Sequence, residues 1–535
     1  MKLKELLRVL PLCHTNADLD MDIKKIAQDS REVTAGTLFI CIDGEIVDGH
    51  KFAQVAEENG ASVILAERPV DVSIPVILIR DTKRGMAILA DHFYSSPSQK
   101  MRMIGITGTN GKTTVSHLIE QVLRNQGETT GLVGTMYMRI ADETIETKNT
   151  TPDSLTLQRV FSKMNEKEVT TAVMEVSSHA LVQGRVYGTD YDVAVFTNLS
   201  QDHLDYHKTM EEYAYAKSLL FAQLGNRYSK NHPKMAILNV DDKASKTMKR
   251  ATAAHIITYG IDRKADFRAQ KMEITSKGTT FELVSPEGTE TVHIQMIGKF
   301  SVYNVLAAIA TCYVCGVPLE ETMKTLSGIK GVSGRFELVH AGQDFPVIVD
   351  YAHTPDGLLN VLETISEFAE KRIFVVVGCG GDRDKGKRPK MAKIAAEYAT
   401  NPIFTSDNPR TEEPAAIIND MLEGVQGKSY EVRVNRKEAI ELAVNSAEKG
   451  DVILIAGKGH EDYQIIGTEK YDFDDRLVAH EAIEKKTKNF NTINNSLVEK
   501  RLERKNCVFI FFNYNISGGF YHNRSLRSSI YPVFS

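Results

Sequence analysis

Two hydrophobic patterns alternate along the chain. Short, nearly continuous apolar runs such as Met101 to Thr107, Thr171 to Val176, Val193 to Thr197 and Met235 to Asn239 end in polar loops, which predicts buried strands. Between them lie longer segments with a helical period. Val115, Leu118, Ile119, Val122 and Leu123 recur at i, i+3, i+4, i+7 and i+8, and Gly127 closes the run, so a helix with one buried face is expected there. The alternation implies a parallel sheet covered by helices on both faces. A further unit starting near Gly334 repeats it with Val347 to Asp350, Ile373 to Val377, Pro402 to Thr405 and Val452 to Ala456. Residues 1 to about 98 are shorter-grained, with strands at Thr37-Leu38-Phe39-Ile40 and Ser62-Val63-Ile64-Leu65, a helix near Phe52 to Asn59, and Ser95-Ser96-Pro97-Ser98 reading as a linker. The expected fold class is α/β with three domains, two of them doubly wound.

The length of 535 residues agrees, being too great for one ordinary core. Charge narrows the function: 65 basic against 70 acidic residues leave a net charge of -5, so nothing draws the chain to nucleic acid or a membrane surface. No apolar run reaches the about 20 residues of a membrane helix, and no secretory apolar region follows Met1-Lys2-Leu3-Lys4-Glu5. A cytoplasmic enzyme is expected. The six cysteines are scattered, and the one close pair, Cys312 and Cys315, lies in the apolar run Val305 to Val317, which favours buried thiols over a metal or redox pair.

The segment Gly105-Ile106-Thr107-Gly108-Thr109-Asn110-Gly111-Lys112-Thr113-Thr114 stands between a strand and a helix. Such a loop offers backbone N–H groups and a helix N-terminus to phosphates, with Lys112 near the terminal phosphates and the Thr113 hydroxyl near Mg²⁺. ATP or GTP is the expected ligand. The glycine spacing departs from the common phosphate loop, whose first glycine would fall at Ile106. The later strands also run into polar loops, among them Glu175 to His179, Asn198 to His203, Asp350 to His353, Gly378 to Arg383, Ser406 to Arg410 and Gly457 to Glu461. Polar loops are often merely wet, but ligands of open parallel sheets sit at this carboxyl edge.

Lys217 is the anomaly. Helical spacing in Glu211 to Leu224 puts it among Tyr213, Leu220, Phe221 and Leu224, either snorkelling to water or carrying a modified amine. Glu175 and His203 each follow a strand and, with Thr113, offer a set for Mg²⁺, which prefers oxygen ligands. A hydrogen-bonded loop histidine is the alternative reading of His203.

Taken with Thr150-Thr151-Pro152, Gly334-Arg335-Phe336-Glu337, Asp350-Tyr351-Ala352-His353-Thr354-Pro355 and Asp407-Asn408-Pro409-Arg410, these motifs closely resemble the Mur ligases over about residues 1 to 490. The resemblance implies an ATP-dependent acid–amino-acid ligase. It would join meso-diaminopimelate to the D-glutamate carboxyl of a UDP-N-acetylmuramoyl dipeptide through an acyl phosphate, in cell-wall precursor synthesis. It implies three domains: a small uridine-binding domain at 1–98, a central phosphate-loop ATPase domain at 99–332, and a Rossmann-like amino-acid-binding domain at 333–490. A tail at 491–535 has no assigned role. By the same resemblance Gly108, Thr109, Asn110, Gly111, Lys112, Thr113, Thr114, Asn304, Arg335 and Asp350 meet the nucleotide. Lys112, Glu175, His203 and Lys217 are the catalytic set. Lys217 is carbamylated and joins Thr113, Glu175 and His203 around Mg²⁺. Ser30, Asn149, Thr150, Thr151, Ser177, Gln183 and Arg185 hold the UDP-linked dipeptide, while Arg383, Asp407, Asn408, Pro409, Arg410, Gly457 and Glu461 hold the amino acid. A monomer is implied. Two departures stand out: Gly44 to Gly49 lacks the His-Gln-Ala of some relatives, and Ser301 replaces a common Asn. An L-lysine-adding ligase, a folylpolyglutamate synthetase and a non-catalytic ATP-binding regulator are the competing readings.

Overall fold

The structure is a computed structural model that describes residues 1–44, 47–147, 149–226, 233–275 and 277–488. The tail at 491–535 and positions 45 and 46 of the Gly44 to Gly49 loop lie outside them.

Three main sheets organise the chain. The N-terminal sheet has five strands, with His14–Thr15 antiparallel to Val76–Leu78 at one edge and Ala61–Ala66, Thr37–Ile40 and Lys25–Ala27 following in parallel. The expected linker is no loose tether. Pro97–Lys100 forms a 3-10 turn, and Ser98 is buried, its hydroxyl donating to Gly188 O at 3.4 Å. Proline at the first position of the turn presets its backbone.

The central sheet has eleven strands. Arg102–Thr107 lies between Thr171–Glu175 and Val193–Phe196, all parallel. Alternate side chains feed separate cores, as a period of two requires: Ile104 and Ile106 pack with Leu118 and Val122 of the helix Lys112–Asn125 and with Val302 and Val305 of Lys299–Val314, whereas Met103 packs with Phe161, Leu220 and Phe221 on the opposite face. The sheet is mixed rather than all-parallel. Met138–Ile140 and Glu143–Ile145 fold antiparallel onto one edge, and Gly278–Ser285 and Gly288–Ile294 onto the other. Gly278–Ser285 alternates buried and partly exposed positions over most of its length, as half-solvated antiparallel strands do, and interspersed polar residues hid these strands among the continuous apolar runs.

In the third sheet Val347–Asp350, Val452–Ala456, Ile373–Val377 and Asn401–Phe404 run parallel in that spatial order. Val375 and Leu454 face one core, Phe374 and Ile453 the other. Asp475 opens the helix 475–488 and is fully buried in a two-bond pair with the equally buried Arg436, at 2.8 and 2.7 Å. The guanidinium also donates to Ala456 O at 3.0 Å, tying this helix to the end of the central strand of the sheet. Removing one member of a buried pair strands the other charge, which costs about 3–5 kcal/mol. Asp475→Ala should therefore destabilise this domain by that order in urea unfolding followed through hydrogen exchange of Val452–Ala456. Arg159→Ala, which breaks the exposed pair with Glu32, should cost about 0–1 kcal/mol.

Candidate active site

The phosphate-loop segment keeps its sequence-level context: the buried strand Arg102–Thr107 enters it and the helix Lys112–Asn125 leaves it. Its glycine spacing has a local cause. Gly108 and Gly111 have φ of 154° and 86°, and a Cβ would run into the Thr197 hydroxyl at the first and into Asn304 Oδ1 at the second. The neighbouring strand end holds the loop. Thr109 N and Asn110 N donate to Asn198 O and Asn198 Oδ1, both at 2.9 Å. Lys112 Nζ donates to Gly108 O at 2.9 Å and Thr109 O at 2.8 Å. Burial lowers its pKa, against the pull of Glu175.

Glu175, at the end of the adjacent strand, is fully buried. One oxygen accepts from the Thr113 hydroxyl at 3.0 Å and the Thr135 hydroxyl at 2.9 Å; the other accepts from Thr135 N at 2.9 Å. Arg335 reaches across from the third domain, its Nη2 donating to Thr113 Oγ1 at 3.1 Å while its guanidinium lies 4.5 Å from the Tyr351 ring centroid. A second tie joins Asn110 Nδ2 to Asp356 Oδ2 at 2.9 Å. The cleft between the two domains has a volume of about 620 Å³, and Lys112, Thr113, Glu175, His203, Asn304, Arg335 and Asp350 all line it. Asp350 accepts from Phe336 N and Ala352 N, both at 2.7 Å, and so shapes the turn that carries Arg335. Burial raises its pKa. Ser301, in the first turn of Lys299–Val314, donates to Ile297 O just before that helix, at 2.8 Å.

Lys217 does not snorkel. It lies within the helix Met210–Ala222, is 1% exposed, and donates to Gly108 O at 2.8 Å with its amine 4.4 Å from the Tyr213 ring centroid. Burial, reinforced by the Lys112 charge, pushes its pKa well below the ordinary lysine range. His203 sits at φ 55°, its Nε2 3.3 Å from Asp202 Oδ2 and its ring 4.8 Å from that of His179. Burial holds it down at about 4. Thr113 and Glu175 thus touch directly, whereas Lys217 and His203 both stand against Tyr213, whose hydroxyl lies 3.2 Å from that of Thr109. Among the described residues no group of three or more His, Cys, Asp or Glu is arranged to hold a metal ion. The oxygen pair of Thr113 and Glu175 nonetheless suits a hard cation such as Mg²⁺, which takes few protein ligands.

Thr150, Thr151, Ser177 and Arg185 gather beside Glu175. The Thr151 hydroxyl donates to Glu175 O at 2.8 Å and accepts from Ser177 N at 3.0 Å; Arg185 Nη1 donates to Thr151 O at 3.1 Å. The Thr150 and Thr135 hydroxyls are 3.0 Å apart. Ser177 caps the helix Ser178–Val182, and Gln183 lies 3.5 Å from the Tyr206 hydroxyl. Asn149 is exposed, its carbonyl accepting from Thr147. Ser30 belongs to a separate 3-10 turn in the N-terminal domain, where its carbonyl accepts from Asn59.

The amino-acid-binding candidates meet at the carboxyl edge of the third sheet. Arg410 sits at φ 52°, pinned by Arg410 N to Ile465 O at 3.1 Å and Gly467 N to Arg410 O at 2.7 Å. Its Nη1 donates to Gly381 O at 2.8 Å. Burial, then the Arg410 charge, pushes the Arg383 guanidinium below its ordinary range, and Asp382 acts on both guanidiniums. Asp407, Asn408 and Pro409 are buried, and Asn408 Nδ2 donates to Glu461 Oε2 at 2.9 Å. Gly457 N donates to Asp350 O at 3.0 Å, linking this pocket to the cleft.

Sequence reasoning missed two buried cations here. Arg388 grips Glu412 at 2.7 and 3.0 Å and so braces the loop that follows Arg410; Lys458, fully buried, bonds Asn408 and Glu461. A charged residue in a run otherwise made of small residues, as in Gly457-Lys458-Gly459, was the available signal.

Comparison with known proteins agrees with this geometry. Residues 22–94 match the description "Mur ligase family, catalytic domain", 106–312 "Mur ligase middle domain" and 334–459 "Mur ligase, glutamate ligase domain". A protein of Listeria monocytogenes named UDP-N-acetylmuramoyl-L-alanyl-D-glutamate--2,6-diaminopimelate ligase is 68% identical over 487 residues, covering 91% of this chain and 99% of its own. One of the same name from Bacillus velezensis is 57% identical, covering 90% and 99%. A solved structure of a ligase of that name superposes with a TM-score of 0.66 at 34% identity, covering 91% of this chain and 100% of its own. With three domain descriptions matched in order and this identity across nearly the whole described length, the chain belongs to the Mur ligase family.

Proposed function

We propose that the protein joins meso-diaminopimelate to the D-glutamate carboxyl of UDP-N-acetylmuramoyl-L-alanyl-D-glutamate with conversion of ATP to ADP and phosphate, a reaction of the cytoplasm. The observation that carries the reading is the convergence of the Lys112–Thr113 loop and Arg335 of the third domain on one hydroxyl, in a cleft joined through the Gly457–Asp350 hydrogen bond to a pocket with two neighbouring guanidiniums. The names of the relatives point the same way. We assign 1–98 to the UDP-linked substrate, 99–332 to ATP and 333–490 to the amino acid.

A carboxylate is a poor electrophile, so the γ-phosphoryl group is transferred to it first and the acyl phosphate is kept from water until the amine arrives. Lys112 holds the phosphates, exchanging its loop carbonyls for them; Arg335 closes over the transferred group from the opposite domain. Thr113 and Glu175 would hold Mg²⁺, His203 and a carbamylated Lys217 would serve as further ligands, and the metal would offset the phosphoryl charge. Asn304 and Asp350 bound the nucleotide end of the cleft. Ser177, Thr150, Thr151, Gln183, Arg185 and Asn149 orient the dipeptide, and Ser30 meets the uridine. The amine then displaces phosphate from the acyl carbon.

A carbamate forms from a neutral amine and CO₂ with release of a proton, and the burial that lowers the pKa of Lys217 favours that neutral form. With ¹³C-bicarbonate the wild type should show a carbamate carbon resonance that Lys217→Ala lacks, and that variant should lose most of its turnover and regain part with an added short carboxylic acid. Normal activity in the variant would refute the role.

Meso-diaminopimelate differs from L-lysine by a carboxylate beside the distal amine. Hydrogen bonds to charged groups are worth about 1.5–3 kcal/mol each, so a two-bond grip by Arg410 amounts to about 10²–10⁴-fold in kcat/KM. The wild type should prefer meso-diaminopimelate by several orders of magnitude, and Arg410→Ala should narrow the gap by lowering that kcat/KM while the lysine value changes little. A wild type that prefers lysine would overturn the assignment.

A further inference from the structure

Lys458 is fully buried against Asn408 and Glu461, two of the residues assigned to the amino acid, with Glu461 taking its distal amine. Its Nζ donates to Asn408 Oδ1 at 3.0 Å and to Glu461 Oε2 at 3.0 Å, and stands 5.4 Å from the Tyr463 ring centroid. Ile465 N donates to the same Asn408 oxygen at 3.0 Å. With two donors on its oxygen, the Asn408 amide has one orientation, and its Nδ2 is turned toward Glu461 Oε2 at 2.9 Å. That carboxylate oxygen then also carries two donors. A carboxylate has two oxygens and about four acceptor sites, so the other oxygen of Glu461 stays available to a ligand.

Charge is the larger consequence. Glu461 alone would attract any ammonium that entered the pocket. Lys458 is bonded to it within the same buried cluster and offsets its charge locally, while Asp382 and Asp407 stand near Arg383 and Arg410. A distal centre bearing both an ammonium and a carboxylate is neutral overall and satisfies Glu461 and Arg410 together. A distal ammonium alone meets a carboxylate whose charge Lys458 already offsets, and it leaves Arg410 without a carboxylate partner. Specificity of this kind comes from what the pocket repels as well as what it binds.

We infer that Lys458 is a specificity-determining residue of the amino-acid pocket: by pairing with Glu461 and orienting Asn408 it makes a lone distal ammonium insufficient for binding. The inference deepens the proposed function and rests on it. The hydrogen bonds and ring contact of Lys458 go to Asn408, Glu461 and Tyr463 of the third domain, so its effect should be confined to the amino acid and leave ATP untouched.

The test compares wild type with Lys458→Met, which keeps the apolar stem, and Lys458→Gln, which keeps a donor but deletes the charge. For each, kcat/KM is measured with meso-diaminopimelate and with L-lysine, together with KM for ATP. In both variants the preference for meso-diaminopimelate over lysine should fall at least tenfold, mainly through KM, with the ATP KM within about twofold of wild type. An equal loss with both amino acids, a preference restored by Gln, or loss of the fold in both variants would give Lys458 a merely structural role and overturn the inference. If instead the wild type itself shows no preference for meso-diaminopimelate, it is the proposed function that fails, and the variants are not needed to say so.

Discussion

The Thr113 hydroxyl is the joint on which the site depends. It donates to Glu175 and accepts from Arg335, which uses a hydroxyl's capacity both to give and to take a hydrogen bond. Glu175 is fully buried and acceptor-only, so it must be met by donors, and Thr113 and the backbone and side chain of Thr135 supply them. Because Arg335 is stacked on Tyr351 and springs from the turn that Asp350 organises, the same hydroxyl sets the third domain against the first turn of the phosphate-loop helix. The tie from Asn110 to Asp356 gives that contact a second anchor and fixes rotation as well as distance.

Sheet topology makes this joint possible. In the central sheet the strand entering the loop lies between two strands that are added later in the chain, on either side of it. The loop therefore emerges at a switch point, flanked by Glu175 on one side and Asn198 on the other. In the third sheet the last parallel strand, Val452–Ala456, inserts between Val347–Asp350 and Ile373–Val377, so Gly457 and Lys458 emerge between the turn of Asp350 and the loop of Arg383. Two switch points bring a phosphate-binding cleft and an amino-acid pocket side by side, joined by the hydrogen bond from Gly457 N to Asp350 O. Enclosure has an electrostatic consequence: burial lowers the basicity of both Lys112 and Lys217, two amines that share the carbonyl of Gly108. Their proximity is costly unless a phosphate, or a modification of one amine, relieves it.

Much of the architecture was legible because buried parallel strands are written as unbroken apolar runs. Met235–Asn239, Val347–Asp350, Ile373–Val377 and Val452–Ala456 fall where the runs predict. The hairpin strands at both edges of the central sheet were not, since one of their faces meets water and their polar positions dilute the pattern. Ser95 to Ser98 read as a linker from its composition, yet Ser98 is buried against Gly188; composition reports backbone propensity and says nothing about what packs over it.

The sequence by itself determined the kind of local chemistry available: a glycine loop between strand and helix, a lysine at an apolar helix position, polar loops after each buried strand, and a family likeness carried by short motifs in order. These are properties of neighbours along the chain, where spacing and side-chain type suffice. Only the tertiary structure decided which of them meet. It showed why the glycines stand at 108 and 111, through Thr197 and Asn304, and that Lys217 turns its amine inward to Gly108 rather than outward to water. It separated Thr113 and Glu175, which touch, from His203, which leans on His179 and Tyr213. It also brought Lys458 to Asn408, 50 residues away along the chain. Such pairings depend on which strand ends lie side by side, and that order is set by packing between sheets and helices, a long-range property that no local spacing encodes.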